Sequence, residues 1–374
     1  MKKKKRALWN LITLVITCSL IFQSCNSVTN SDSAAGGGDR DWLIPRGEVV
    51  DGGPGKDGIP SIDDPKFASV SSINFIPDNR MVIGLQIKED IKVYPHQIMD
   101  WHEIVNDRVG DKALALTFCP LTGTALAWDR EINGSVTEFG VSGLLFRNNL
   151  IPYDRNSDSY WSQMQVRSVA GPLSSNQTET FQVIETRWET WKKLYPDAQV
   201  LTTDTGFSRN YSGFTYGSDY STNHDRIIFP IRNRNNALQN KTRVHGILPD
   251  EGAEPSEYSP LVFPINRFSD GIEVIQESFD GREIVVVGSS GHDFAAAFSR
   301  LSPEGTLLDF EAVSDDQLPV VMRDSEGNRW DLFGNAVSGP RQGERLTALK
   351  SYTGYWFGWA DFFPDLRIHE PASN

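Results

Sequence analysis

The chain has 374 residues, with 36 lysines and arginines against 49 aspartates and glutamates, for a formal net charge of −13. That balance excludes the clustered basic surface on which nucleic-acid binding depends. The length is ample for a hydrophobic core without cross-links.

The N-terminus reads as an export signal. Lys2 to Lys5 and Arg6 precede the apolar run "ALWNLITLVITCSLIFQSC", which ends at small residues and Cys25. This is a signal-peptide layout over residues 1–24, and Ile21 to Cys25 resembles a relaxed bacterial lipobox that leaves Cys25 lipidated. The Ser, Asn and Gly-rich stretch that follows predicts a flexible tether, so residues 25–59 are read as lipid anchor and tether. The expected location is the cell envelope, on the periplasmic face or the cell surface, with the lipid as membrane partner. Removing residues 1–24 takes away five positive charges and moves the formal charge from −13 to −18. No other apolar run is long enough to cross a membrane. Cys18 leaves with the signal and Cys25 carries lipid, so Cys119 remains without a disulfide partner.

From residue 60 the chain repeats itself. "VIGL", Tyr94-Pro95, "GDKALAL", Gly134, Phe139, Asp154, Trp161, "GPL" and "WETWKKLYPD" recur as "VHGI", Phe263-Pro264, "DGREIVVV", Gly305, Phe310, Asp324, Trp330, "GPR" and "WFGWADFFPD". The reading is a duplication, with one repeat at 60–204, a Tyr and Ser-rich linker at 205–225 and a second repeat at 226–370. Short apolar or alternating runs such as "ALALTF", "GTALAW" and "EIVVVG" predict strands. Asn133-Gly134, Gly110-Asp111 and Asp280-Gly281 predict hairpin turns. Helix signals are confined to a turn or two after Pro95 and to "RWETWKKLY". The expected fold is mainly β, a β-rich α+β chain of two related antiparallel-sheet repeats with a few short helices.

Duplication supplies an internal control. Features in both copies, among them Trp161, Trp188, Trp191, Pro95 and Gly171, belong to the architecture. Features in one copy are candidates for function. His102, Asn106, Asp107 and Cys119 fall in this second group, because repeat two has Ile272, Gln276, Glu277 and Ser289 there. If "HEIVNDRV" and "KALALTFC" pair through a turn at Gly110-Asp111, His102 lies directly across from Cys119. A thiol beside an imidazole has three readings. Cys119 is a nucleophile activated by His102, with Asn106 or Asp107 orienting the ring. Alternatively Cys119 and His102 are two ligands of copper or zinc, completed by His96, Asp154 or a residue of the other repeat. In the third, both are core residues. Tyr153, Asp154 and Arg155 are secondary candidates, with Asp154 the more readily a turn former. Ser142 in "GVSGLL" lacks the strand–turn–helix setting of a serine nucleophile.

"YPHQIMDWHEIVND", "LTFCPLTGTALAWDR", "FGVSGLL", "YDRNSDSYWSQ" and "WFGWADFFPD" together resemble the bacterial and archaeal family catalogued as domain of unknown function 3179. The resemblance covers the chain from about residue 60 onward. It implies a commonly exported or lipid-anchored protein and supplies no reaction. Many members read C-P-L-C; here the second position is Thr122, so neither a CxxC redox pair nor a four-thiolate zinc site transfers. Only Cys119 and the "HEIVND" residues carry over. The leading expectation is a metal-binding Cys119–His102 site. Its rivals are a thiol enzyme using the same pair, and a non-catalytic module whose Trp and Tyr-lined cleft between the repeats holds a small molecule, glycan or peptide.

Overall fold

Three antiparallel sheets, laid out in the same order, occur once in each half of the chain. The computed structural model describes residues 41–249 and 258–370. The first half holds a five-stranded sheet built on Met81–Ile87 and Asp90–Pro95, a four-stranded sheet built on Ile104–Val109, Lys112–Cys119 and Thr124–Asp129, and a five-stranded sheet built on Phe139–Phe146 and Asn149–Asp154. The second half repeats this with Arg243–Ile247 and Leu261–Pro264, then Glu273–Phe279, Arg282–Ser289 and Phe294–Ser299, then Phe310–Ala312 and Val320–Asp324. The chain is thus β-rich. Among the described residues it has three short α-helices: α1 (His96–His102), α2 (Trp188–Leu194) and α3 (Trp356–Phe362). Each half adds one parallel pairing, of Gln199–Leu201 with Asp90–Pro95 and of Arg367–Ile368 with Leu261–Pro264.

The turn chemistry sets the registers. Asn133 and Gly134 both adopt positive φ (51° and 77°), as do Asp280 and Gly281 (53° and 71°), and each pair closes a two-residue hairpin. Gly110 (φ 55°) lets Val109 pair with Lys112.

The shared motifs do the same work in both halves. An added Cβ at Gly84 would meet the Trp191 ring at 1.7 Å, and one at Gly246 would meet the Trp359 ring at 2.4 Å, so glycine lets each helix dock its indole on a strand. Asp154 accepts from Trp161 Nε1 at 3.1 Å, and Asp324 accepts from Trp330 Nε1 at 2.9 Å. All of these tryptophans are essentially without solvent exposure.

The halves also share their cores. One buried cluster combines Ile104, Trp128 and Phe139 with Val244, Tyr352 and Trp359; another combines Val82, Trp188 and Trp191 with Val287, Phe298 and Trp330. Polar links add to this, including Tyr355 N to Thr122 O at 2.7 Å and Arg187 Nη1 to Gly291 O at 2.8 Å. The tether expected to reach residue 59 ends earlier, because Val49–Asp51 already pairs with Leu144–Phe146. Cys18, Cys25 and the signal segment lie outside the described residues.

Candidate functional site

The expected register is made, but the expected pair is not. Ile104 pairs with Thr117 and Asn106 with Ala115, as a turn at Gly110-Asp111 requires. The strand, however, begins only at Ile104. Glu103 takes a left-handed conformation (φ 57°) that ends α1, so His102 sits in the last turn of a helix rather than in the ladder. Its Nδ1 faces Pro60 O at 2.8 Å and its Nε2 faces Tyr211 Oη at 2.7 Å. Both ring nitrogens are therefore committed away from Cys119.

Cys119 itself is a buried, free thiol whose Sγ lies 3.6 Å from Asn148 O. Burial, with the neighbouring Glu103 carboxyl adding to it, pushes the thiol up to about 11. A thiol in that state is not the nucleophile at neutral pH. Nor do three or more His, Cys, Asp or Glu side chains converge as a metal site among the described residues. The pairing of Cys119 and His102, as dyad or as shared ligands, is corrected on both counts.

Asn106 and Asp107 do not orient His102 either. Asn106 clamps the neighbouring sheet: its Oδ1 accepts from Phe139 N at 2.9 Å, while Nδ2 donates to Phe139 O at 2.8 Å and to Asp63 at 2.7 Å. Gln276 makes the matching contacts to Phe310, at 2.9 and 3.3 Å. The apparent asymmetry is thus one architectural function carried out by two amides. Asp107 accepts from Lys92 Nζ at 2.9 Å and from Tyr94 Oη at 2.7 Å. Tyr153 and Arg155 hold the incoming segment through Asp57 and Asp63. Asp154 receives Ser157 N at 2.7 Å and is the expected turn former. Ser142 bonds Ile151 O within its own bulged hairpin.

The polar chemistry gathers elsewhere, in a cleft of about 720 Å³ between the two repeats. Its walls include His96, Asp100, Phe118, Tyr216, Arg243 and Tyr355. His96 opens α1 directly after Pro95, which fixes the turn from strand to helix. Glu185 comes from the strand Val183–Arg187, opposite Ile83. Arg243 opens the first strand of repeat two, opposite Tyr355. One Glu185 oxygen lies 2.9 Å from His96 Nε2 and 3.5 Å from Arg243 Nη2. That side chain is only 2% exposed. Among the described residues neither of its oxygens, nor His96 Nε2, nor Arg243 Nη2, has a well-aligned hydrogen-bond partner. Burial disfavours the Arg243 charge, but Asp293 and Glu185 outweigh it and hold the guanidinium ionised.

Around this group, loss of hydration shifts several neighbours. Asp100 is pushed up to about 6 by burial, against the pull of His96 and Arg80. Glu103 is pushed up to about 8 by burial and by Asp100, and its bond to Tyr216 only partly offsets this. Lys241 Nζ sits 3.3 Å from the Tyr220 ring centroid and 4.7 Å from that of Tyr355, and burial lowers the amine to about 7. Acids held near neutral pH are enriched at functional sites.

The Tyr and Ser-rich linker forms the cleft's roof. Phe214 lies under the Arg80 guanidinium at 3.8 Å, and Tyr220 Oη donates to Leu121 O at 2.9 Å. Tyr and Phe border the cleft, whereas the tryptophans expected there are in the cores.

Comparing the repeats at other positions carries the missed signal. His96 follows Tyr94-Pro95 where Ile265 follows Phe263-Pro264. Glu185 pairs with Ile83 where repeat two pairs Thr353 with His245. Both positions carry an ionisable residue in repeat one only, but they lie far apart in the chain.

The family described as "Protein of unknown function (DUF3179)" matches residues 56–366. No curated protein and no solved structure matches.

Proposed function

The chain belongs to the DUF3179 family, and on that premise we propose that the cleft between its repeats takes up a small polar organic molecule with which His96 exchanges a proton. One observation carries this reading. Glu185 is a buried carboxylate set between an imidazole and a guanidinium, with no well-aligned hydrogen bond among the described residues. Buried charges are ordinarily paired and hydrogen-bonded, and a group left short marks a place for a further polar partner.

The division of roles follows from the contacts. Glu185 lies 2.9 Å from Nε2 of His96 without an aligned hydrogen bond, so the guest is what completes the polar contacts of this group. Arg243, anchored by Asp293, sets its positive charge beside Glu185. Phe118, whose ring centroid is 4.4 Å from that of His96, and Tyr216 offer apolar faces. The chamber has the size of a small-molecule site. The reaction class is general acid–base: abstraction of a proton from the guest, or activation of a water against it. Export and lipidation at Cys25 complete the proposal, supported by the N-terminal pattern, and would present this cleft in the cell envelope. Copper or zinc on Cys119 and His102, and a Cys119 nucleophile, are not part of it.

The test is a panel of small polar organic compounds screened by thermal shift, with affinities then measured for wild type, His96→Gln and Glu185→Gln. Binding that stabilises the wild type and weakens at least tenfold in both variants supports the reading. Compounds that bind all three alike, or none that bind, would contradict it.

A further inference from the structure

Repeat one has two sheet edges closed by its own entry segment, and repeat two has the same edges open. In repeat one Ile62 lies parallel to Val105, donating to Ile104 O at 2.9 Å and accepting from Asn106 N at 2.8 Å. A few residues later Phe67–Ser69 pairs with Gln199–Leu201. Ile62 is thereby buried in one cluster with Tyr94, Met99, Val105 and Leu201.

The corresponding strand of repeat two, Glu273–Phe279, is the outer strand of its three-stranded sheet, and Arg367–Ile368 is the outer strand of the next. No strand covers either one among the described residues. The register is conserved: Val274 pairs with Val287 and Gln276 with Val285, as Ile104 pairs with Thr117 and Asn106 with Ala115. Val274 C=O and Gln276 N–H therefore point outward, where Ile104 C=O and Asn106 N–H hold Ile62. Between the two edges lies a groove of about 290 Å³, bordered by Phe263, Phe268, Val274, Ile275 and His369. His369 stacks on Phe263 at 4.8 Å, while Phe67 meets the corresponding Tyr94 edge-on at 5.7 Å.

We infer that this groove is a docking site for an extended segment of a partner polypeptide, which adds as a strand parallel to Glu273–Phe279 and seats a branched aliphatic side chain against Ile275. Main-chain hydrogen bonds to an open edge supply the affinity and the pocket supplies the selectivity. A second copy does not offer its own residues 59–63, because they are already engaged in repeat one. The rim carries Glu273, Glu277 and Glu370 on a chain of net charge −13, with Arg267 and His369 paired to Glu370 and Glu277. A guest with basic residues after the aliphatic one complements it. The inference is independent of the cleft.

The probe is a fluorescently labelled peptide of residues 58–64 carrying Asp63→Lys and Asp64→Lys, titrated into the intact protein. Saturable one-to-one binding is expected. It should weaken at least tenfold when the second isoleucine of the peptide is N-methylated, which removes its N–H without touching the protein. Ile275→Glu should weaken it similarly, with the fold checked by circular dichroism. No saturable binding, or binding indifferent to both changes, would overturn the inference. So would a protein dimer in sedimentation that the peptide disperses, since the occupant would then be a second copy.

Discussion

A Glu185 carboxylate oxygen lies 2.9 Å from Nε2 of His96, across the join between a strand and the first residue of α1, with Arg243 of the second repeat 3.5 Å away on the other side. The sheet of repeat one brings His96 and Glu185 together, through the pairing of Val183–Arg187 with Met81–Ile87 and of that strand with Asp90–Pro95, and the packing of the repeats adds Arg243. Severing the contact should leave the fold and remove the cleft's chemistry. Glu185→Gln keeps the shape while replacing the carboxyl beside His96, and it leaves Arg243 with Asp293 as its acidic neighbour. Carbethoxylation of histidines, mapped by mass spectrometry, checks the setting of the ring. His96 borders the cleft and should react in the native wild type, more slowly once a bound compound occupies the cleft. His102 and His245, both buried, should react only after unfolding.

The thiol of Cys119 is expected to be inert in the folded protein, the reverse of the reactive cysteine that the sequence suggests. Cys119 is 1% exposed and its thiol is raised to about 11, so maleimide at pH 8 should label it only after denaturation. Cys119→Ala should cost about 1–2 kcal/mol in denaturant unfolding as a small core deletion. Rapid labelling of the folded protein would contradict this placement.

Asn106→Ala removes a buried amide and leaves Phe139 N–H and C=O unpaired, for an expected loss of about 2–3 kcal/mol. Gln276→Ala removes the matching clamp at an exposed position, where water replaces it, and should cost under about 1 kcal/mol. Equal losses at the two sites would show that burial does not set the difference.

Glycine serves packing at Gly84 and Gly246. Alanine at either would drive a methyl into an indole ring, at 1.7 Å from Trp191 or 2.4 Å from Trp359. Each should lose several kcal/mol, roughly the scale of severe core overpacking. At Gly47, where an added Cβ meets nothing within 4 Å, alanine should be near neutral. Thermal unfolding of the three variants checks the contrast.

Stability should fall with rising pH on account of Glu103. Its carboxyl is raised from 4.5 to about 8 in the fold, so the folded state holds the proton over a range where the unfolded chain has lost it. An acid raised on folding contributes fully below its unfolded value, and the contribution drains away as pH climbs through the folded one. Asp100, raised from 3.8 to about 6, acts in the same direction. Glu103→Gln should therefore raise the unfolding temperature at pH 8.5 and change it little near pH 4.5. A gain independent of pH would point to packing instead.

What was legible in the sequence was local or repeated. Asn133-Gly134 and Asp280-Gly281 announce their hairpins because those turns demand positive φ, and the paired tryptophans announce the cores because they occur twice. The register that places Cys119 was also legible. His102 was misplaced because a single left-handed residue, Glu103, ends a helix where alternation suggested a strand, and glutamate gives no warning of that conformation. Asn106 and Gln276 look like a functional difference and are the same clamp. His96, Glu185 and Arg243 stayed hidden because nothing local joins them. Sheet pairing within repeat one joins His96 to Glu185, and the docking of the repeats adds Arg243.

The measurement that tests the central claim most directly is a crystal structure of the protein soaked with a mixture of small polar organic fragments. The account predicts fragments in the inter-repeat cleft, with polar atoms in hydrogen-bond reach of His96, Glu185 or Arg243 and flat faces against Phe118 or Tyr216. Fragments bound elsewhere, with the cleft holding only water, would contradict it.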